Sequence, residues 1–456
     1  MSNIWSELNP YKLILFDIDS AFAVPPMPFI YSGTVEVAGE AIVNSVMEID
    51  TEVDEFGSPV NPTTYGELIC VTYCLHAQVG NWVTASVPIK NGIITDETRI
   101  NKTLPIFKYL IEKKSKIIVI SHIGRPKGKW NEDLSLKPIC ENLKKKLNKK
   151  IKLIKENLFK VKKNNLFTDS DDEIVFLENI RFYEEEEKND NNFSKHLASL
   201  ADIFVNDAFS CSHRSHASMC EITKFLPSYA GLQLETEIDA LKQVTTQIKK
   251  PTTCIIGGSK ISTKIGIIKN LIPKFNNIII VGGMANNILK YKGHSIGKSI
   301  KEDNCETIIE NIFKFSKNYS CTITFPEDAV VGKSVEDEPK IKELKQIAND
   351  DLILDIGPKT IKNINNIIEN SKTVLWNGPA GYFENPNFAK GSFEIGKKIA
   401  EKNKLNQIFS VAGGGDTVSL LNRIGIFNNF NFVSTAGGAF LEYLEGKELP
   451  GIKALN

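Results

Sequence analysis

The sequence predicts an α/β protein built on two parallel sheets, with an atypical β-rich segment near the N-terminus. Three observations predict it. In the second half, five short apolar runs each end in a glycine-rich turn, and helical patterns follow them. In the first half, three apolar runs end in loops that carry Arg or His. Between the halves lies an unbroken amphipathic stretch, residues 234–249, free of glycine and proline. Repeated strand, turn and helix units describe a parallel sheet with helices packed on it. Such a sheet binds ligands at the carboxyl ends of its strands, where these turns sit.

Composition sets the bounds. A chain of 456 residues has room for about two to four domains. Apolar content of 42% and charged content of 24% suit a globular protein. The net charge is zero, which argues against bulk electrostatic binding of nucleic acid or membrane. Eight scattered cysteines form no C-x-x-C pair, so a reduced, cytoplasmic protein is expected. Cys70, Cys74 and His76 lack a second pair of ligands, so no metal site is expected there. No signal-peptide pattern and no long apolar run is present, so no membrane span is expected.

Taken in order, residues 12–19 read as a strand. Residues 13–89 then contain no Lys or Arg. Alternating stretches at 34–38 and 68–74 suggest further strands. The compositional break marks an inserted β-rich segment or a join of unrelated sequence. A turn follows at 90–92, then a helix beginning near Thr95 with Arg99 in its first turns. Residues 116–121 form a strand ending in H-I-G-R-P-K-G, which places His122, Gly124 and Arg125 on a loop. Residues 174–177 repeat the scheme and place Arg181. Residues 202–206 repeat it again and place His213, Arg214 and His216. Only five of the 55 basic residues are arginine, and four of the five fall in this half. A lysine-biased chain should keep Arg where a planar fork must grip an anion bidentately. The cluster calls for a small, multiply charged anion.

The second half opens on residues 254–264, C-I-I-G-G-S-K-I-S-T-K. Gly257, Gly258 and Ser259 break a strand, and a helical pattern starts at Lys260 with Ile261, Ile265 and Ile268 on one face. Lys260 and Lys264 stand four apart and project from one side of the first turn. Cations oppose the dipole at a helix N-terminus, and a polyphosphate resolves that conflict. The P-loop pattern is absent. Residues 278–281, 374–376, 408–412 and 432–435 repeat the unit and end in Gly282-Gly283, Asn377-Gly378, Gly413 to Thr417, and Gly437-Gly438. A strand at 352–356 and a helix from Gly391 toward Lys404 complete the reading.

Nine motifs resemble, in order, those of the phosphoglycerate kinase family. They are T-D-E-T-R-I, S-H-I-G-R-P, L-E-N-I-R-F, D-A-F-x-x-x-H-R-x-H-A-S, G-G-S-K-I-S-T-K, D-I-G-P-K-T, W-N-G-P-A-G-Y-F-E, A-G-G-G-D-T and G-G-A-F-L-E-Y-L-E-G-K, spread over residues 87–456. The resemblance implies two doubly wound, Rossmann-like domains facing across a cleft. An acid-substrate domain would span 1–233, including the atypical segment 13–86. A connecting helix would span 234–249, a nucleotide domain 250–434, and a returning C-terminal segment 435–456. It implies that Arg99, His122, Gly124, Arg125, Arg181 and Arg214 bind 3-phosphoglycerate. Gly257, Lys260, Lys264, Asn377, Glu384, Gly414, Gly415, Asp416 and Thr417 would bind ATP, with Asp416 meeting Mg2+ and Glu384 the ribose. Arg99 and Lys260, with the amides of Gly437 and Gly438, would stabilise the phosphoryl group in flight. A monomer is expected.

Two departures from the family pattern stand out. The first motif, R-x-D-x-N-V-P, is missing. Its polar positions fall on Trp82, Thr84 and Ser86, or on Asp19, Ala21 and Ala23, depending on which Val-Pro is its tail. Ala436 replaces a glycine. A second expectation is therefore a nucleotide-binding member impaired in turnover.

Overall fold

Successive residues of the first-half strands enter two different cores. Ile117, Val119, Ile174, Phe176, Ile203 and Val205 join one, with Phe107, Leu110 and Leu143 from helices. Ile118, Ile120, Val175, Leu177 and Phe204 join the other, with Phe193 and Leu197. Side chains alternate along a strand, so a sheet covered on both faces needs a continuous apolar run. The runs I-I-V-I and I-V-F-L supply it.

The computed structural model describes residues 16–18, 68–74, 89–90, 93–94, 97–167 and 173–456. These form two compact units. One runs to Thr236 and takes back Leu449–Asn456; the other spans Glu237–Glu448. The sheet of the first unit runs in the order Lys150–Ile154, Glu173–Leu177, Lys116–His122, Phe16–Ile18, Leu68–Cys74, Ile203–Asp207, Ser228–Ala230. Its pairings are parallel. The two strands of the basic-free segment thus lie between Lys116–His122 and Ile203–Asp207. The remaining expectations for that segment, at 19–23, 34–38, His76 and 82–86, lie outside the described residues.

A buried carboxylate starts the connecting helix. Asp207 Oδ1 accepts from the amides of Gln233 at 2.6 Å and Leu234 at 2.9 Å. This satisfies N–H groups that a helix start leaves open. Gly231 is required beside it: a Cβ there would lie 2.4 Å from Asp207 Cγ. The helix spans Leu232–Thr245, so it begins two residues before the expected 234 and stops four before 249.

The second unit holds a six-stranded parallel sheet in the order Thr322–Thr324, Asn277–Ile280, Thr252–Ile256, Thr373–Asn377, Phe409–Gly413, Phe432–Ser434. Chain order reverses between Thr252–Ile256 and Thr373–Asn377, which is the position where such sheets bind ligands. The strand Leu352–Ile356 forms as expected, but within a separate antiparallel trio with Asp328–Gly332 and Lys340–Glu343.

The C-terminal boundary differs from the sequence reading. Helix Gly437–Leu444 stays with the second unit, where Asn270 Nδ2 donates to Leu444 O at 2.8 Å. The return begins at Leu449 rather than 435. There Gly451 N donates to Ser212 O at 2.8 Å, and Asn206 Nδ2 to Gly451 O at 3.1 Å.

Asp355 joins the antiparallel trio to helix Lys390–Lys404. Its Oδ2 accepts from Gly391 N at 2.6 Å and its Oδ1 from Ile356 N at 2.9 Å. Burial pushes its carboxyl up to about 7. A carboxyl raised in the folded state contributes fully at acid pH, below the unfolded value, and loses that contribution as pH rises. The stability advantage of wild type over Asp355→Asn should therefore shrink as pH rises from about 4 to about 7. Denaturant unfolding across that range measures it; a pH-independent difference would contradict the assignment.

Candidate active site

Two sets of loops, one on each unit, gather the candidate residues. On the first unit the set is built on Glu178 and Asn179, both buried. Glu178 accepts from Ser135 Oγ at 2.6 Å, Leu136 N at 2.7 Å and Asn179 N at 2.8 Å. Asn179 Nδ2 donates to Ile123 O at 2.7 Å and Leu134 O at 2.9 Å, while its Oδ1 accepts from Arg181 N at 3.1 Å. These bonds join the loop after strand Lys116–His122 to the loop after Glu173–Leu177. The motif L-E-N-I-R showed an arginine at sequence level; its Glu and Asn turn out to be the frame.

Arg181 sits in that frame at 1% exposure. Its Nη1 donates to Gly124 O at 3.2 Å. Among the described residues Nε and Nη2 have no hydrogen-bond partner, and a carboxylate oxygen, Glu187 Oε1, lies 3.8 Å from Nε. A buried charge with two unused donors is costly unless a ligand completes it.

The neighbouring cations differ in setting. Arg125 is exposed on its loop, and His122 is buried at the end of its strand. Arg214 Nε donates to His213 Nε2 at 3.3 Å. Burial, then the charge of Arg214, pushes His213 down to about 4, so it is neutral at pH 7 and can accept. His216 lies 3.6 Å from Glu186 Oε1 and is committed to the core rather than to a ligand. Burial alone would raise Glu186, but His216 and Ser218 more than offset it and hold it low. Arg99 is the second residue of helix Thr98–Glu112.

On the second unit, a glycine at positive φ follows each of five strands: Gly258, Gly282, Gly378, Gly414 and Gly437. Gly257 packs so closely that a Cβ would lie 2.1 Å from Pro379 O. Gly437 faces open space, with nothing within 4 Å of where a Cβ would stand. Gly438 is exposed at the next position, in the first turn of the same helix.

The lysine turn corrects the sequence reading. No α-helix starts at Lys260. A short 3-10 turn, Ser262–Lys264, intervenes, and the α-helix runs Ile265–Leu271. Lys260 is therefore exposed in the loop before that turn. Lys264 is half-buried, and its Nζ donates to Asn377 Oδ1 at 2.5 Å. Asn377 is itself oriented, since its Nδ2 donates to Gly413 O at 2.6 Å. Burial pushes the Lys264 ammonium down to about 8, against the opposing pull of Asp416. Asp416, in the first turn of helix Gly415–Arg423, is raised, because desolvation outweighs the opposing charge of Lys264. Thr417 Oγ1 accepts from Gly378 N at 2.8 Å, tying the turn after strand Thr373–Asn377 to the start of that helix.

Glu384 is exposed. Its carbonyl and that of Phe383 accept from Arg423 Nη1, at 3.0 and 2.7 Å. The fifth arginine therefore braces this loop.

Among the described residues, no group of three or more His, Cys, Asp or Glu side chains could hold a metal ion. Asp416 offers one carboxylate, which fits a Mg2+ ion that brings phosphate and water ligands with it. No helix among the described residues is long and apolar enough to cross a membrane.

Asn179→Ala removes two donors from buried carbonyls. It should cost on the order of 2–4 kcal/mol of stability. Urea unfolding checks this, and an effect within about 0.5 kcal/mol would show that the two loops hold together without Asn179.

The phosphoglycerate kinase family model matches residues 81–447. A phosphoglycerate kinase from Wolbachia pipientis wMel is 45% identical over 377 residues, covering 82% of this chain and 94% of that relative. One from Dictyoglomus turgidum is 43% identical over 375 residues, with 82% and 94% covered. The solved structure of phosphoglycerate kinase from Coxiella burnetii is similar with a TM-score of 0.75 at 35% identity, over 84% of this chain and 95% of that one. The match begins where the basic-free segment is ending, and nothing in these similarities favours the impaired reading. The chain belongs to the phosphoglycerate kinase family and is an enzyme of phosphoryl transfer.

Proposed function

We propose that the reaction, reversible transfer between 1,3-bisphosphoglycerate and ADP giving 3-phosphoglycerate and ATP, runs on the residues described above. The observation that carries the reading is Arg181, a buried guanidinium with two donors unused. An acid phosphate would complete it, with Arg125, Arg214, His122, Gly124 and Arg99 around the same ligand.

The second unit takes the nucleotide. Amides at Gly414 and Gly415 receive phosphate oxygens, and Gly257 lets the nucleotide approach while its own amide stays on Asn377 O. Lys264 neutralises the phosphates, Asn377 and Thr417 hold the turns, and Glu384 meets the ribose. Asp416 would hold a Mg2+ ion, which would supply neutralisation of charge on the nucleotide. Arg99, Lys260 and the Gly437 and Gly438 amides act on the phosphoryl group in flight. Such transfer needs positioning and charge stabilisation more than covalent chemistry. It also needs water excluded, so we read a hinge closure into the cycle. The chain is read as a cytoplasmic monomer; its six described cysteines are free, which suits a reducing compartment.

Arg99→Lys should lower kcat on the order of 10³-fold with little change in nucleotide affinity. A coupled assay of 1,3-bisphosphoglycerate formation measures it; near-normal turnover would remove Arg99 from the transition state. Lys264→Ala and Asp416→Ala should weaken Mg-nucleotide binding and spare 3-phosphoglycerate binding. In the wild type, nucleotide affinity should fall as pH climbs through about 8, where Lys264 loses its proton. Calorimetric titration of each ligand tests both statements. Loss of acid binding with intact nucleotide binding would reverse the assignment of the two units.

A further inference from the structure

The turn that carries Lys260 and Lys264 is fastened from outside. Ile261 stands at its N-cap position and offers no side-chain cap. Two cations flank a helical start whose free N–H groups already carry partial positive charge. Glu302 supplies what is missing. Its Oε2 accepts from Ser262 N at 2.9 Å, and its Oε1 accepts from Ser262 Oγ. A carboxylate on a backbone amide and a hydroxyl is a charge-assisted pair, stronger than a neutral one.

Glu302 is fixed in turn. Its own amide donates to Asn287 Oδ1 at 2.9 Å, and Asn286 Nδ2 donates to Ile300 O at 3.0 Å. Both asparagines are buried in helix Gly283–Tyr291, which starts at the glycine turn after strand Asn277–Ile280. A continuous set of hydrogen bonds therefore runs from one glycine-turn helix, through 300–302, to the lysine turn. Desolvation would raise the Glu302 carboxyl, but Ser262, then the Ile261 backbone and Lys260, more than offset it, so it stays ionised.

We propose that Glu302 is a positioning residue for phosphoryl transfer, latching the Ser262–Lys264 turn so that Lys260 and Lys264 are presented in one geometry. The proposal rests on the roles assigned to those lysines under the proposed function. Without the latch the turn loses its only side-chain anchor at Ser262 among the described residues, and the lysines spread over more orientations. Misplacement of a catalytic group by about 1 Å can cost on the order of a hundredfold in rate.

The test uses Glu302→Ala, Glu302→Gln and Ser262→Ala in the full chain. The readouts are kcat, KM for each substrate, thermal midpoint, and hydrogen exchange at the Ser262 amide. Glu302→Ala should lower kcat roughly ten- to a hundredfold, raise KM for ATP, leave KM for 3-phosphoglycerate unchanged, and speed exchange at Ser262. Ser262→Ala, which keeps the amide bond, should lose less, and so should Glu302→Gln. The double variant Glu302→Ala/Ser262→Ala should be no worse than Glu302→Ala, because Glu302→Ala already removes the hydroxyl bond that Ser262→Ala removes. Unchanged exchange at Ser262 would overturn the latch. Faster exchange, or a lower thermal midpoint, with unaltered kcat and KM would overturn its role in positioning. If Lys260→Ala and Lys264→Ala themselves retain full turnover, the lysine roles fall, and the proposal with them; the exchange result still reports on the bond.

Discussion

The first unit is organised around a guanidinium that the fold does not satisfy. Arg181 is buried to 1% exposure, yet among the described residues only its Nη1 has a hydrogen bond. A protein gains nothing in stability from such a group, since a buried charge needs its partners. What keeps it in place is the rigidity of its surroundings. Glu178 and Asn179 use their donors and acceptors to join two loops, and Arg181 is carried between them by its own backbone bond to Asn179. Unsatisfied polarity in that frame is the observation on which the proposed acid-phosphate site rests.

The second unit solves a related problem differently. It must present positive charge beside helix starts that are already positive. Lys264 is restrained by Asn377, which is oriented by Gly413. The turn ahead of it is restrained by Glu302. Of the glycines at the strand ends, Gly258 and Gly437 open onto free space. In both units residues that would touch a ligand are held by hydrogen-bonded neighbours: Asn179 for Arg181, Asn377 for Lys264. Positioning of that kind is the main contribution a protein can make to phosphoryl transfer.

Much of this was legible in the sequence because it is periodic or local. Continuous apolar runs ending in glycine or arginine located the strands and their carboxyl ends, from Cys254 through Val433. The scarcity of arginine pointed to Arg181, although it also pointed to Arg423, which braces a loop. What stayed hidden depends on long-range pairing. Nothing at Asp207 announces that it accepts from residues 233 and 234, and nothing at Glu302 announces a partner 40 positions earlier. The turn found where a helix was expected at Lys260 likewise depends in part on residue 302, which accepts from Ser262. His216 looked like its neighbours in H-R-S-H but packs on Glu186, a partner 30 residues away.

The central claim, that Arg181 is kept for a ligand and not for the fold, is tested most directly by thermal midpoints with and without 3-phosphoglycerate. The comparison is between wild type and Arg181→Met. Met fills similar space without the charge. The account predicts that the ligand-free variant melts at or above the wild-type temperature, and that added 3-phosphoglycerate raises the midpoint of wild type only. It would be contradicted by a ligand-free variant that melts several degrees lower while still being stabilised by 3-phosphoglycerate.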